Sequence, residues 1–250
     1  MAPIFNKKII IAIILALIVI FSVITISYIY FNDNAQVELS NEYSTDSVEN
    51  ITLANSTVGT VEVIKNLGNP NSSKRIAYVV GVHPLEHEVH ETLVKILPNV
   101  TDLDYCYDIY IINVTQDVGY YGDGLSDFES PGRQNGQNLA NEYVYPEIIN
   151  GDYDLAIDVH SHVGSYPYHT LVFSPVKESR SVDYANEIVE NCPDIVYYAP
   201  DTTTSGPYLT IPLNENGVPA FYFEEYSFAS QDEKDSHVLE LIYAVDNLEL

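Results

Sequence analysis

The sequence predicts a single α/β domain, a mixed, mainly parallel sheet flanked by helices, preceded by an N-terminal transmembrane helix. Three observations lead there. Residues 9–31 form an uncharged run of 23. From residue 58 onward, apolar runs of strand length alternate with stretches of helical spacing, the pattern of a sheet covered by helices. Histidines and glutamates stand where those strands end, and α/β sheets gather functional groups at the carboxyl ends of strands.

The first element is "IIIAIILALIVIFSVITISYIYF", residues 9–31. At ~1.5 Å rise per residue it is long enough for a hydrocarbon core of roughly 30 Å. Lys7 and Lys8 precede it and acids follow, so the positive-inside rule makes residues 1–8 a cytoplasmic tip and places the rest outside the cytoplasm. A cleaved signal peptide is the rival reading. Its apolar region would be about 7–15 residues, followed by a small-x-small cleavage site, and no such site is evident before Phe31. The expectation is an uncleaved signal anchor in the cell membrane. Residues 32–57 are polar, rich in Asn and Ser, and without sustained periodicity. They read as a flexible stalk, and residues 58–250 as the extracytoplasmic domain.

Within that domain, "TVEVIKNLG" reads as the first strand and "RIAYVVGV" as one covered on both faces. "EHEVHETLVKIL" has helical spacing, with Val89, Leu93, Ile96 and Leu97 on one face and Pro98 as its stop. "YDIYIINV" is a strand, and "QNLANEYVYPEIIN" part loop and part helix. "YDLAIDVHSH" is a strand ending in histidines, "YHTLVFSP" a further strand, and "VDYANEIVENC" a helix. "PAFYFEEYSF" is a strand ending in acids, and "EKDSHVLELIYAVDNLEL" a closing amphipathic helix.

A net charge of -26 argues against nucleic acid as a partner, because that role needs a Lys/Arg stripe to meet the phosphates. Five N-x-S/T triplets begin at Asn50, Asn55, Asn71, Asn99 and Asn113. These are glycosylation acceptors in an exported glycoprotein. Cys106 and Cys192 suit either one disulfide or two buried thiols.

The chemistry lies in "GVHPLEHEVH" and its downstream partners. A hydrolytic zinc site needs three protein ligands and one open position. His83 and Glu86 form H-x-x-E at a turn favoured by Gly81 and Pro84, and His160 arrives from a second strand end. Glu224 or Glu225, at a third strand end, would take the proton of the attacking water. A competing pattern, H-x-x-E-H through His87, is that of inverted zincins. Pro84 opposes it, since Pro is not tolerated inside a helix. His87, Glu88, His90 and Glu91 then read as polar helix surface. Asp158, two residues before His160 on the same strand face, reads either as a carboxylate that orients a ligand or as a buried strand acid.

In order and spacing, "GVHPLE", "GRQNGQNLANEYVYP", "IDVHSH" and "VPAFYFEEY" resemble the landmarks of the zinc carboxypeptidase superfamily. Within it, the succinylglutamate desuccinylase/aspartoacylase branch is the most similar. The resemblance covers roughly residues 75 to 228. It implies a zinc carboxypeptidase/phosphorylase-hydrolase-like fold and one Zn2+ per chain, held by His83, Glu86 and His160. It also implies Glu224 as general base and Arg133 as the group that polarises the scissile carbonyl. Glu225 would point to the opposite strand face. The family's Asn-Arg pair falls on Ala140 and Asn141, so a bidentate grip on a substrate carboxylate is lost there. Asn141, Tyr208 and His162 are the candidate substrate-binding residues, with His162 reading equally as a solvated loop histidine. The function this implies is a membrane-anchored, zinc-dependent amide hydrolase of metallocarboxypeptidase or deacylase type. Its substrate would be a small peptide or an N-acyl amino acid. The alternative is a catalytically inactive surface protein that retains the fold for binding or display.

Overall fold

The structure is a computed structural model, and it describes residues 48–119 and 130–250. The expected membrane anchor at residues 9–31 and most of the stalk lie outside the described residues. Among the described residues, no helix is long and apolar enough to cross a membrane.

Eight strands form one mixed sheet. They are β1 (Glu49–Asn55), β2 (Gly59–Gly68), β3 (Arg75–Val80), β4 (Cys106–Val114), β5 (Leu155–His162), β6 (Leu171–Phe173), β7 (Val196–Tyr197) and β8 (Ala220–Tyr226). Their spatial order is β1-β2-β4-β3-β5-β8-β6-β7. The centre, β4-β3-β5-β8, is parallel. The β1–β2, β2–β4 and β6–β8 pairs are antiparallel. Every residue of β5 is buried, as expected of a central parallel strand covered on both faces.

Among the described residues, six helices cover the sheet: α1 (His87–Ile96), α2 (Pro131–Leu139), α3 (Tyr145–Asn150), α4 (Arg180–Asn191), α5 (Thr210–Glu215) and α6 (Gln231–Asp246). Val89 and Leu93 of α1, Ile188 of α4 and Val238, Leu241 and Ile242 of α6 pack with Tyr78, Ile157 and Phe221 into one core. Leu139 of α2, Ile148 of α3 and Leu213 of α5 pack on Ala77, Val79 and Tyr110 into a second core. Fully burying one such Leu or Ile contributes about 1.5–3 kcal/mol. A capping box between Ser230 and Glu233 starts α6.

The connections decide where a site can form. From β3 the chain passes through α1 to β4, on one side of β3. From β4 it returns through α2 and α3 to β5, on the other side. From β5 the chain goes on to β6, beyond β8 and away from β3, so it leaves the carboxyl ends of the neighbours β3 and β5 in opposite directions and a crevice opens between them.

Several elements differ from the sequence expectation. Part of the expected stalk, residues 49–55, is strand β1, paired to β2 from Glu49↔Lys65 to Asn55↔Thr60. It is an edge strand with mostly exposed side chains, so it carries no apolar face to announce it. The stretch expected as part loop is one helical run from Pro131 to Asn150, with a wide turn at Ala140–Val144 joining α2 to α3. The short β7 and α5 are additional. His90, read as helix surface, is buried and its Nε2 lies 2.8 Å from the carbonyl oxygen of Val159. Cys106 and Cys192 are both buried free thiols.

Candidate metal centre

Gly81 ends β3 with φ +87, and a Cβ there would meet the Ile112 carbonyl oxygen at 1.9 Å. Only glycine satisfies both constraints, and it lets the chain turn at once into the loop carrying His83. The Glu86 amide donates to the His83 carbonyl (3.1 Å), which closes the turn and brings both side chains to one point. His160 comes from the end of the neighbouring strand β5.

The three side chains converge. His83 Nδ1 lies 3.0 Å from Glu86 Oε1, and His160 Nδ1 lies 2.8 Å from Glu86 Oε2. The two rings meet edge to face, with centroids 4.5 Å apart. Ligand atoms from His83, Glu86 and His160 all lie within 4.8 Å of one another, and all three residues are buried. Two imidazole nitrogens and a carboxylate are the donor set of a hydrolytic zinc site. Their spacing is close to that of neighbouring ligands around an ion with bonds of about 2.0–2.2 Å. The residues present therefore fit Zn2+.

The surroundings support that fit. Asp158 Oδ1 sits 2.9 Å from His160 Nε2, though neither atom has an aligned hydrogen bond. A carboxylate behind a histidine fixes the ring and its tautomer when the other nitrogen binds a cation. The amide of Gln137 lies 3.2 Å from His83 Nε2 and orients that ring in the same way. The Ser161 backbone amide donates to Glu86 Oε2 (3.1 Å).

Arg133 reaches the site from α2. Its Nη1 donates to Glu86 Oε1 at 3.0 Å and its Nη2 to Thr204 Oγ1 at 2.9 Å. The helix approaches closely because residue 136 is glycine: a Cβ there would stand 2.1 Å from the Val82 carbonyl oxygen.

Glu224 on β8 pairs with His160 across the parallel ladder and lines the same cavity, of about 360 Å3, with His83, His160 and Arg133. Burial pushes its carboxyl up to about 8, against the pull of His160 and Arg133. Burial pushes the His83 imidazole down to about 3, outweighing the Glu86 carboxylate. Burial also opposes charge on Glu86 and on His160. Even so, the two histidines hold Glu86 well below the usual carboxylate range, and Asp158 and Glu86 hold His160 well above the usual imidazole range. A buried cluster that already holds a proton against two carboxylates can exchange it for a cation.

The other sequence candidates fall in different places. His162 lies 2.9 Å from the His169 carbonyl through Nε2 and accepts from the Gly164 amide through Nδ1 (3.2 Å). Both ring nitrogens therefore organise the loop after β5. Asn141 donates to the Tyr208 carbonyl (2.9 Å), and the Tyr208 hydroxyl donates to Gln134 Oε1 (3.4 Å). Neither is among the residues lining the cavity. His87 is exposed and lies 3.5 Å from Glu91 Oε1, away from His83, so the inverted-zincin arrangement is not formed. Glu225 points to the opposite face of β8, where it meets His237 and Thr170.

Two groups escaped the sequence reading. Tyr166 lines the cavity and its hydroxyl donates to Glu224 Oε1 (3.4 Å). It was one aromatic among 21 tyrosines, with no signal to set it apart. Gln137 is the second, and its place one turn after Arg133 was the signal available.

The sequence matches no protein-family model, and no curated protein matches it in sequence. Solved structures do match it in fold. A metallo-carboxypeptidase from Burkholderia cenocepacia aligns with 81% of this chain and 64% of its own length, at 12% identity and a TM-score of 0.53. One from Pseudomonas aeruginosa, in complex with (2-guanidinoethylmercapto)succinic acid, aligns with 79% of this chain and 64% of its own, at 15% identity and a TM-score of 0.52. The tripeptide-bound cell shape determinant Csd4 from Helicobacter pylori aligns with 75% of this chain and 55% of its own, at 13% identity and a TM-score of 0.54. The chain thus spans between 55% and 64% of the length of these structures.

Proposed function

From a chain with the metallo-carboxypeptidase fold, we propose a zinc-dependent hydrolase of amide bonds, anchored in the cell membrane by residues 9–31 with its domain outside the cytoplasm. The observation that carries the catalytic reading is the convergence of His83, Glu86 and His160 within 4.8 Å beside a buried Glu224. The anchor rests on the uncharged run and on the lysines before it. The tripeptide bound to Csd4 supports a small peptide as substrate, with N-acyl amino acids as the deacylase counterpart.

In this reading His83, Glu86 and His160 hold the zinc. When bound, zinc polarises a carbonyl and lowers the pKa of a water to about 7. Glu224 faces the cavity as general base: it takes a proton from the attacking water and returns it to the leaving amine. The Tyr166 hydroxyl holds Glu224 Oε1 in position. Arg133, held at the cavity wall by Glu86 and Thr204, places a fixed positive charge near the carbonyl oxygen as it gains charge. Asp158 and Gln137 keep the two imidazoles turned inward.

The test is zinc content and turnover of the purified full chain in detergent. The parent binds about one zinc, while His83→Ala and His160→Ala lose it with the fold retained. Glu224→Gln keeps zinc and loses hydrolysis. Zinc without turnover in the parent, over a screen of peptides and N-acyl amino acids, would favour the binding or display protein instead.

A further inference from the structure

The substrate of this site can be narrowed, on the hydrolase reading above. Thr202, Thr203, Thr204 and Ser205 all line the cavity, as do the aromatic side chains of Tyr166 and Tyr222. Among the described residues that line it, Arg133 is the single lysine or arginine. Both terminal nitrogens of that guanidinium are engaged, by Glu86 and by Thr204.

Among the described residues, no other lysine or arginine lines the cavity. Lys74 and Arg75 stand at the opposite end of the sheet, where β3 begins, and pair with Asp154 and Asp108. Lys65 pairs with Glu147, and Lys95 closes the last turn of α1. Lys234 is buried against the Ser227 carbonyl, and Arg180 donates to the Tyr184 hydroxyl. Lys177 is absent from the lining. Residues 120–129 contain no lysine or arginine, and Asn141 occupies the position where the motif order would place a second arginine.

A free carboxylate next to the scissile bond would therefore meet a wall of hydroxyls and the carboxyl group of Glu224. It would find no second guanidinium to grip it in the bidentate way that makes carboxylate recognition strong. Serine and threonine hydroxyls each donate one hydrogen bond and accept others. They match the N–H and C=O groups of neighbouring amides without needing charge.

We infer that the cavity accepts an amide with uncharged flanks, an internal peptide bond or a carboxamide-capped chain, in preference to a substrate with a free carboxylate beside the scissile bond. This sets aside free N-acyl amino acids.

The experiment uses matched probes, N-acetyl-trialanine and its C-terminal carboxamide, with the zinc-loaded full chain in detergent. Turnover is measured in the parent. Binding is measured by calorimetry in Glu224→Gln, which separates recognition from chemistry. The expected result is at least a tenfold higher kcat/KM for the carboxamide, with tighter binding of it in Glu224→Gln. Thr203→Arg, which adds a cation to the hydroxyl wall, should move the ratio at least tenfold toward the free acid. Equal use of the two probes, or preference for the free acid, would overturn the inference and leave the hydrolase reading standing. Neither turnover nor binding of either probe would sink the hydrolase reading and this one with it.

Discussion

Replacing Gly136 by alanine tests whether the packing of α2 sets the geometry of the site. The added Cβ would lie 2.1 Å from the Val82 carbonyl oxygen, where ordinary contact begins at about 3.4 Å. Helix and turn must therefore separate by the difference, about 1.3 Å. Both partners of that contact are backbone, so no side chain can rotate away to relieve it. Arg133 and Gln137 ride on the same helix, and the turn carries His83 and Glu86. Contacts now at 3.0 Å (Arg133 to Glu86) and 3.2 Å (Gln137 to His83) would open beyond hydrogen-bond range. A displacement of roughly 1 Å can cost about 100-fold in rate. Overpacking costs roughly 1–3 kcal/mol of stability, offset by up to ~1 kcal/mol because alanine is the better helix former. The assay is kcat/KM together with the urea midpoint, beside Gln134→Ala on the exposed face of the same helix as a control. A folded Gly136→Ala protein with the parental rate would refute the claim that this approach positions Arg133.

Asp158→Asn should weaken zinc binding about 10–100-fold, read by competition with a chromophoric chelator; unchanged affinity would show that Asp158 does not orient His160. Asp108 is fully buried and accepts from Arg75 Nη1 (2.6 Å), the Asn66 amide (2.8 Å) and the Tyr153 hydroxyl. Asp108→Ala should therefore lower stability by about 3 kcal/mol in urea unfolding while leaving zinc affinity unchanged. The hydrogen bond from His237 Nδ1 to Glu225 Oε2 (2.8 Å) raises the pKa of His237 in the folded protein, against some desolvation. Its contribution to stability is then fully present below the unfolded imidazole value of about 6.5 and is lost as pH rises through the raised folded value. The gap in urea midpoint between parent and His237→Gln should be wider at about pH 5.5 than at about pH 9, and equal gaps would contradict the pairing.

What could be read from the sequence, and what could not, divides by where each signal is stored. Both faces of the central strands β3 and β5 are covered, so β3 after Arg75 and the start of β5 are apolar, and the strands with the polar residues at their ends are visible in the sequence alone. His83, Glu86 and His160 follow from those ends, which leave Glu224 and Glu225 as alternatives; the family resemblance chose Glu224. β1 was hidden because an edge strand takes its identity from its partner: its side chains are mostly exposed, and the pairing with β2 does the work. α2 was hidden for the opposite reason. Pro131, Gly132 and Gly136 read locally as loop, yet Pro131 begins the helix and the glycines admit neighbouring backbone at distances no side chain allows. His90 was misplaced because a histidine among glutamates reads as surface until an acceptor such as the Val159 carbonyl is known. Motif order carried Arg133 to the site but not Asn141. The wide turn at Ala140–Val144 starts between them and changes the helical phase, so Asn141 faces the Tyr208 carbonyl instead. Spacing in the sequence survives as geometry only while the backbone between two residues keeps one period, and here that period breaks one residue before Asn141.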